Sequence, residues 1–178
     1  AGPDQEACYP AFMADLLARL FPSATDDERS RLLREATDYE LDMESRLLVP
    51  RAALRRLMEA LHARGKRILL ISDMYLPAGH LQRLAASAGL APLVDGVVSS
   101  ADSGRAKASG AAWPLVRDRF RLDPERWLHV GDNPVSDGLR PAGFGIRAAV
   151  LRDPGERARK AIAGTYWRMA QSRPFWRG

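Results

Sequence analysis

The sequence predicts a parallel α/β sheet with helices on both faces. Three observations carry that prediction. Short apolar runs rich in β-branched residues recur at 67–72, 94–98, 127–131 and 146–150. Segments of helical period separate them, as crossovers between parallel strands require. Three of the runs also end in polar residues, Ser72-Asp73, Ser99-Ser100 and Gly131-Asp132. Open α/β sheets bind their ligands at such carboxyl ends.

The first fifty residues are helical in pattern. Phe12, Met13, Leu16, Leu17 and Leu20 form one apolar stripe behind Pro10, and Phe21-Pro22-Ser23 breaks it. Thr25-Asp26-Asp27-Glu28 supplies a capping box and an acidic first turn for a longer helix, whose stripe runs Leu32, Ala36, Tyr39, Met43 and Leu47. Beyond Pro50, Leu54, Leu57, Met58 and Leu61 predict a helix leading to the Gly65-Lys66 turn. Strand 67–72, a helix through Leu81, Leu84 and Ala88 closed by Gly89, and strand 94–98 then make one βαβ unit. Helix 108–120, strand 127–131, a short segment 134–142, strand 146–150 and a last helix 155–170 complete the pattern. No internal repeat or low-complexity segment interrupts it.

Composition narrows the class. With 178 residues, 46% hydrophobic and 28% charged, the chain is globular material sufficient for one domain and its core. No apolar run approaches the length of a membrane-spanning helix. The start has neither a basic region nor an apolar stretch of signal-peptide type, and the chain is expected to begin inside a longer protein. The single Cys8 excludes an internal disulfide and favours a reducing, cytoplasmic setting. A net charge of +5 invites a nucleic-acid reading, yet the arginines are scattered and no run of five basic residues occurs, even in the densest cluster from Arg152 to Arg177. A mild attraction for anionic substrates is the better inference.

The chemistry gathers at the strand ends. Asp132 and Asp137 lie in Gly-Asp-Asn-Pro-Val-Ser-Asp, directly after a short apolar run. Carboxylates there are costly unless a cation or a proton compensates them. A hard divalent cation such as Mg²⁺, held by one or two carboxylates with waters and substrate phosphate, suits the spacing. An Asp-Asn-Pro turn that caps a helix suits it too. Ser72 ends the first strand, and Lys107 follows the second. Of 27 basic residues only Lys66, Lys107 and Lys160 are lysines, so a compact point charge at 107 is informative. A solvated lysine near a helix start is the plainer alternative. Hydroxyl, ammonium and metal-binding carboxylates are together what a phosphoryl group needs around it.

In this order the motifs resemble those of the haloacid dehalogenase-like (HAD) superfamily. Ile68-Leu69-Leu70-Ile71-Ser72-Asp73 looks like its second motif, Lys107 like its third, and Gly131-Asp132 through Asp137 like its fourth. The wording Ile71-Ser72-Asp73-Met74-Tyr75-Leu76-Pro77 and His129-Val130-Gly131-Asp132-Asn133 is similar to bacterial HAD-like hydrolase domains, some of them fused to glycosyltransferases. The resemblance covers residues 50–152 well and 10–50 loosely. It implies a Rossmannoid core over 49–178 and, over 1–48, part of a helical cap that closes on the site. It further implies a Mg²⁺-dependent phosphatase for a small phosphorylated molecule. Ser72, Asp73 and Lys107 would bind the phosphoryl group, with Ser72 and Lys107 catalytic, and Asp132 and Asp137 would hold the metal.

The departure from the family is at its first motif, the strand with Asp-x-Asp that carries the covalent nucleophile. No such strand precedes Ser72; Asp26-Asp27, Asp38 and Asp42 all sit in helix-like sequence, and Asp38-Tyr39-Glu40 follows no apolar run. The nucleophile and first core strand are therefore expected outside this chain, which alone should be inactive. That strand would lie between 67–72 and 127–131, so these two should be left unpaired with each other. The competing reading is a non-catalytic HAD-like module that binds a phosphate or a partner domain, beside a glycosyltransferase for instance.

Remaining residues read more plainly. Glu35, Asp38, Asp42 and Glu44 form either a substrate-facing cap surface or, more simply, a solvated helix face. His129 reads as a packed, hydrogen-bonded histidine, and His62 and His80 lack a second ligand at zinc spacing. Tyr75 either covers the site or packs. Trp113, Trp127, Trp167 and Trp176 form no stacking stripe, and Arg140 is near enough in sequence to pair with Asp137.

Overall fold

The computed structural model of the chain describes residues 4, 7–151, 155, 161–165, 168 and 169. The predicted last helix, 155–170, lies largely outside them, as do Lys160, Trp167, Trp176 and most of the Arg152 to Arg177 cluster. In chain order the elements are α1 (Tyr9–Leu20), α2 (Asp26–Leu47), α3 (Ala52–His62), β1 (Leu69–Ser72), α4 (Ala78–Ser87), β2 (Gly96–Ser99), α5 (Ser100–Ser103), α6 (Ala112–Phe120), β3 (Leu128–Gly131), α7 (Arg140–Ala142) and β4 (Arg147–Val150). Every strand predicted from the sequence is present, shifted by one or two residues at its ends.

Local chemistry explains the boundaries. Pro10 occupies the first turn of α1, where its missing N–H is not needed. Thr25 and Glu28 form the capping box of α2 as its sequence promised, each side chain bonded to the other's backbone N–H. Gly89, at φ +68°, lets the chain leave α4 through a left-handed turn that a Cβ would strain.

All four strands run parallel, but in two separate pairs. β1 pairs with β2, with Ser72 opposite Ser99; β3 pairs with β4, with Gly131 opposite Val150. Among the described residues β1 and β3 are not hydrogen-bonded to each other. No residue of β1 is fully buried, and Leu128 of β3 is half exposed. That is unusual for parallel strands, which are ordinarily covered on both faces.

Packing ties the N-terminal helices to the region after β1. Tyr9 of α1, Leu41 of α2, Leu76 and Leu84 of α4 form one buried apolar cluster. Polar contacts frame it: the Tyr9 N–H donates to the Tyr75 carbonyl at 2.9 Å, the Tyr75 hydroxyl donates to Glu40 Oε1 at 2.9 Å, and Arg83 pairs with Asp38 at 2.8 Å. Donating to that carboxylate, with burial adding to it, pushes the Tyr75 hydroxyl up to about 12. On the other side Trp113 of α6 is fully buried, edge-on to Trp127 and to His129.

The α2 stripe differs from expectation. Tyr39 and Leu47 are 69% and 74% exposed, and Leu41, outside the stripe, is the residue buried. The reason is geometric, since α2 turns the face containing Leu41 toward Leu84 and Leu76. The acidic residues between are paired at the surface, Asp42 with Arg46 and Glu35 with Arg31, as a solvated face predicts. No helix among the described residues is long and apolar enough to cross a membrane.

Candidate functional site

Three segments meet at the carboxyl ends of the two strand pairs. The first leaves β1 at Ser72. Its course through residues 73–78 is fixed from β2 and α5. The Ser99 hydroxyl donates to the Leu76 carbonyl at 2.7 Å, Ser100 Oγ accepts from the Met74 N–H at 2.9 Å, and Asp102 accepts from the Ala78 N–H at 2.6 Å. Short polar side chains at a strand end thus hold a loop that has no ladder partner of its own. Among the described residues the Ser72 hydroxyl itself has no hydrogen-bond partner.

The second segment is the turn carrying Lys107, which precedes α6. Both Asp73 oxygens accept from the Lys107 N–H at 2.9 Å, and Oδ2 also accepts from Ala108 N–H at 3.2 Å. Asp73 therefore links the first segment to the second.

The third segment follows β3. Asn133 caps a wide π-type helical turn, Pro134–Leu139, by accepting from the N–H groups of Val135 and Ser136. Such turns are rare and recur at functional sites. The turn folds Asp137 back over the strand end, where its Oδ2 accepts from the Asn133 N–H at 3.0 Å. Gly131 makes this return feasible, because a Cβ there would sit 2.3 Å from Asp137 Cγ. The need is for space rather than for a left-handed φ.

Asp137 is the electrostatic centre. It is 2% exposed, and its Oδ1 accepts from Lys107 Nζ at 2.7 Å and from His129 Nε2 at 2.9 Å. Burial pushes its carboxyl up, but the bonds from Lys107, His129 and the Asn133 N–H outweigh it and bring the pKa to about 2. His129 goes the other way from an isolated ion pair. Burial lowers its pKa more than Asp137 raises it.

The sequence-read residues therefore divide into two groups. Lys107, Asp73 and Asp137 are joined by direct bonds. Ser72 and Asp132 stand at the ends of β1 and β3, Asp132 exposed and without a hydrogen-bond partner among the described residues. Arg140 does not pair with Asp137. It donates instead to the Ala108 carbonyl at 2.8 Å. The sequence also gave no warning of Asp4, whose Oδ2 accepts from the Ala106 N–H at 2.9 Å. Ser99 and Ser100 were visible as a polar strand end, though their hold on the loop after β1 was not.

Parallel strand pairs joined by helices, with polar side chains at their carboxyl ends, define a protein of the α/β class. The profile of the haloacid dehalogenase-like hydrolases matches residues 10–139, most of the chain. The chain belongs to that family. Solved structures agree on the fold. A HAD phosphatase from Thermococcus onnurineus superposes with TM-score 0.58 at 19% identity, over 83% of this chain and 78% of that one. The L-2-haloacid dehalogenase of Xanthobacter autotrophicus, with chloropropionic acid covalently bound, gives 0.54 at 19% identity, covering 90% and 62%. A Listeria monocytogenes serotype 4b protein gives 0.55 at 19%, covering 60% and 62%. The chain thus spans about three-fifths of the last two proteins. No curated protein sequence matches it.

Proposed function

We propose that the chain carries the phosphate- and metal-binding half of a Mg²⁺-dependent phosphohydrolase for a small phosphorylated molecule. The observation that carries the reading is the buried Lys107–Asp137 pair at 2.7 Å, set beyond the ends of β1 and β3. An ammonium held this way is a fixed positive charge for phosphoryl oxygens, and the open Ser72 hydroxyl is a second donor. Asp73 belongs to the same phosphate-binding segment.

The donor set is compatible with a hard cation. Among the described residues Asp132 offers an unpartnered carboxylate, and Asp137 Oδ2 accepts one bond, from Asn133. No cluster of three or more His, Cys, Asp or Glu side chains is placed to hold a metal among the described residues. Phosphate oxygens and waters would complete a shell of which Asp132 and Asp137 supply the protein share, and bound Mg²⁺ would neutralise phosphate charge. Asp132 also stays clear of the Lys107 bond, which leaves it free for that role.

The nucleophilic carboxylate is assigned to a strand bearing Asp-x-Asp, seated between β1 and β3 and supplied from outside these residues. Among the described residues β1 and β3 each have a ladder partner on one side only, and an added parallel strand would suit such edges. The single cysteine suits a cytoplasmic setting.

The test uses the purified chain with p-nitrophenyl phosphate and Mg²⁺, alone and with an added segment bearing Asp-x-Asp. No turnover is expected alone and turnover with the segment. Hydrolysis by the chain alone that Lys107→Ala abolishes would show that the nucleophile is already present. Calorimetric titration with Mg²⁺ and inorganic phosphate should show weak binding that Asp132→Asn weakens further. Equal binding by the two proteins would remove Asp132 from the site. Binding without turnover, even with the segment, would favour the non-catalytic phosphate-binding module.

A further inference from the structure

Three successive backbone N–H groups, of Ala106, Lys107 and Ala108, point at carboxylates of the chain itself. Consecutive N–H groups of this kind form a concave anion site that could have received a phosphate. Here it is filled from two directions. Asp73 takes the N–H groups of Lys107 and Ala108, at 2.9 and 3.2 Å, and Asp4 takes those of Ala106 at 2.9 Å and the Ser109 hydroxyl at 2.5 Å. The Arg140 guanidinium closes a third side on the Ala108 carbonyl at 2.8 Å.

We infer that Asp73 and Asp4 are positioning residues that clamp the turn bearing Lys107, and that phosphate is met by the lysine side chain and not by this turn's backbone. The clamp rests on the phosphate-binding role proposed for Lys107. Its physical purpose follows from the lysine itself. A flexible four-carbon stem loses rotamer freedom when its ammonium is fixed. Lys107 must nonetheless deliver Nζ to Asp137, 30 residues away beyond β3. Fixing the root of the stem confines the volume that the ammonium can sweep. Gly110, at φ +92°, then turns the chain toward α6.

The chain's three lysines make the clamp measurable. Selective ¹³C labelling at lysine Cε gives three signals, and Lys107→Arg assigns the one of interest. Asp73→Asn keeps the side-chain shape but leaves one acceptor oxygen where there were two. The Lys107 signal should then move toward that of exposed Lys66, and Asp4→Asn should move it the same way by less. Inorganic phosphate should bind Asp73→Asn about five- to tenfold more weakly, the effect of roughly one lost hydrogen bond. A Lys107 signal unmoved in both variants overturns the clamp. Should Asp73→Asn fail to fold, Asp4→Asn decides alone, since Asp4 lies outside the regular secondary structure. Wild-type protein that binds no phosphate refutes the phosphate-binding role, while the lysine signal still judges the clamp.

Discussion

Asp137 is ionised in a place where burial alone would neutralise it. Its pKa of about 2 is below the ordinary carboxylate value of 3.8, so the folded state binds its proton less readily than the unfolded chain. The resulting stabilisation is complete above about pH 4 and is lost as the pH falls toward 2, on the order of 2 kcal/mol. His129, lowered from 6.5 by burial, acts with the same sign at a higher pH, because the unfolded ring gains a proton before the folded one. Urea midpoints should therefore fall as the medium is acidified, and between about pH 4 and 2 the fall should be shallower in Asp137→Asn. An identical profile for the two proteins would mean that Asp137 is not held ionised by its partners. Lys107→Ala leaves a buried carboxylate without its cation and should cost about 3 kcal/mol, against less than about 0.5 for Lys66→Ala. Gly131→Ala should destabilise by about 2 kcal/mol or more and displace Asp137, read as a pH profile resembling that of Asp137→Asn.

At the scale of elements, what was legible was local. The α2 capping box is a four-residue pattern, and each predicted strand lies within two residues of the observed one, since alternation and turn chemistry act over short spans. Pairings across the fold were not legible. The family resemblance put Lys107, at a helix start, and Asp137 around one phosphoryl group, but the direct bond between them was not legible. Asp4 and Ala106, 102 residues apart, left no pattern at all. Arg140 shows the opposite error, closeness along the chain taken for closeness in space. The α2 stripe shows a third: periodicity finds an apolar face but not which face a neighbour covers. Leu41, missed for that reason, is the better test of the helix. Leu41→Ala should cost about 2–5 kcal/mol and raise hydrogen exchange in α2 and α4 together. Exchange raised in α2 alone would mean that the N-terminal helices are not anchored through this cluster.

For the molecule as a whole, β1 and β3 each have a ladder partner on one side only among the described residues. Parallel strands bond to their two neighbours through alternate residues. Alternate amides of β1 and β3 should therefore exchange quickly, while those bonded to β2 and β4 are slower. Uniform protection along both strands would mean that the edges are covered in solution. A segment that pairs with these edges should slow that exchange and raise the thermal midpoint, and the isolated chain should be marginally stable and prone to self-association.

The same division bears on how the chain reaches its fold. Each pair is assembled within one short stretch, residues 69–99 for β1 and β2 and residues 128–150 for β3 and β4. Contacts so close in sequence form quickly, because little chain entropy is lost in closing them. Either half can thus nucleate first, and the Lys107–Asp137 bond, which spans the two, is a docking contact made late. Stopped-flow refolding of Lys107→Ala should leave the refolding rate nearly unchanged and speed unfolding, the signature of a bond absent from the transition state. A strongly slowed refolding phase would instead place the lysine in the nucleus and make the two halves a single folding unit.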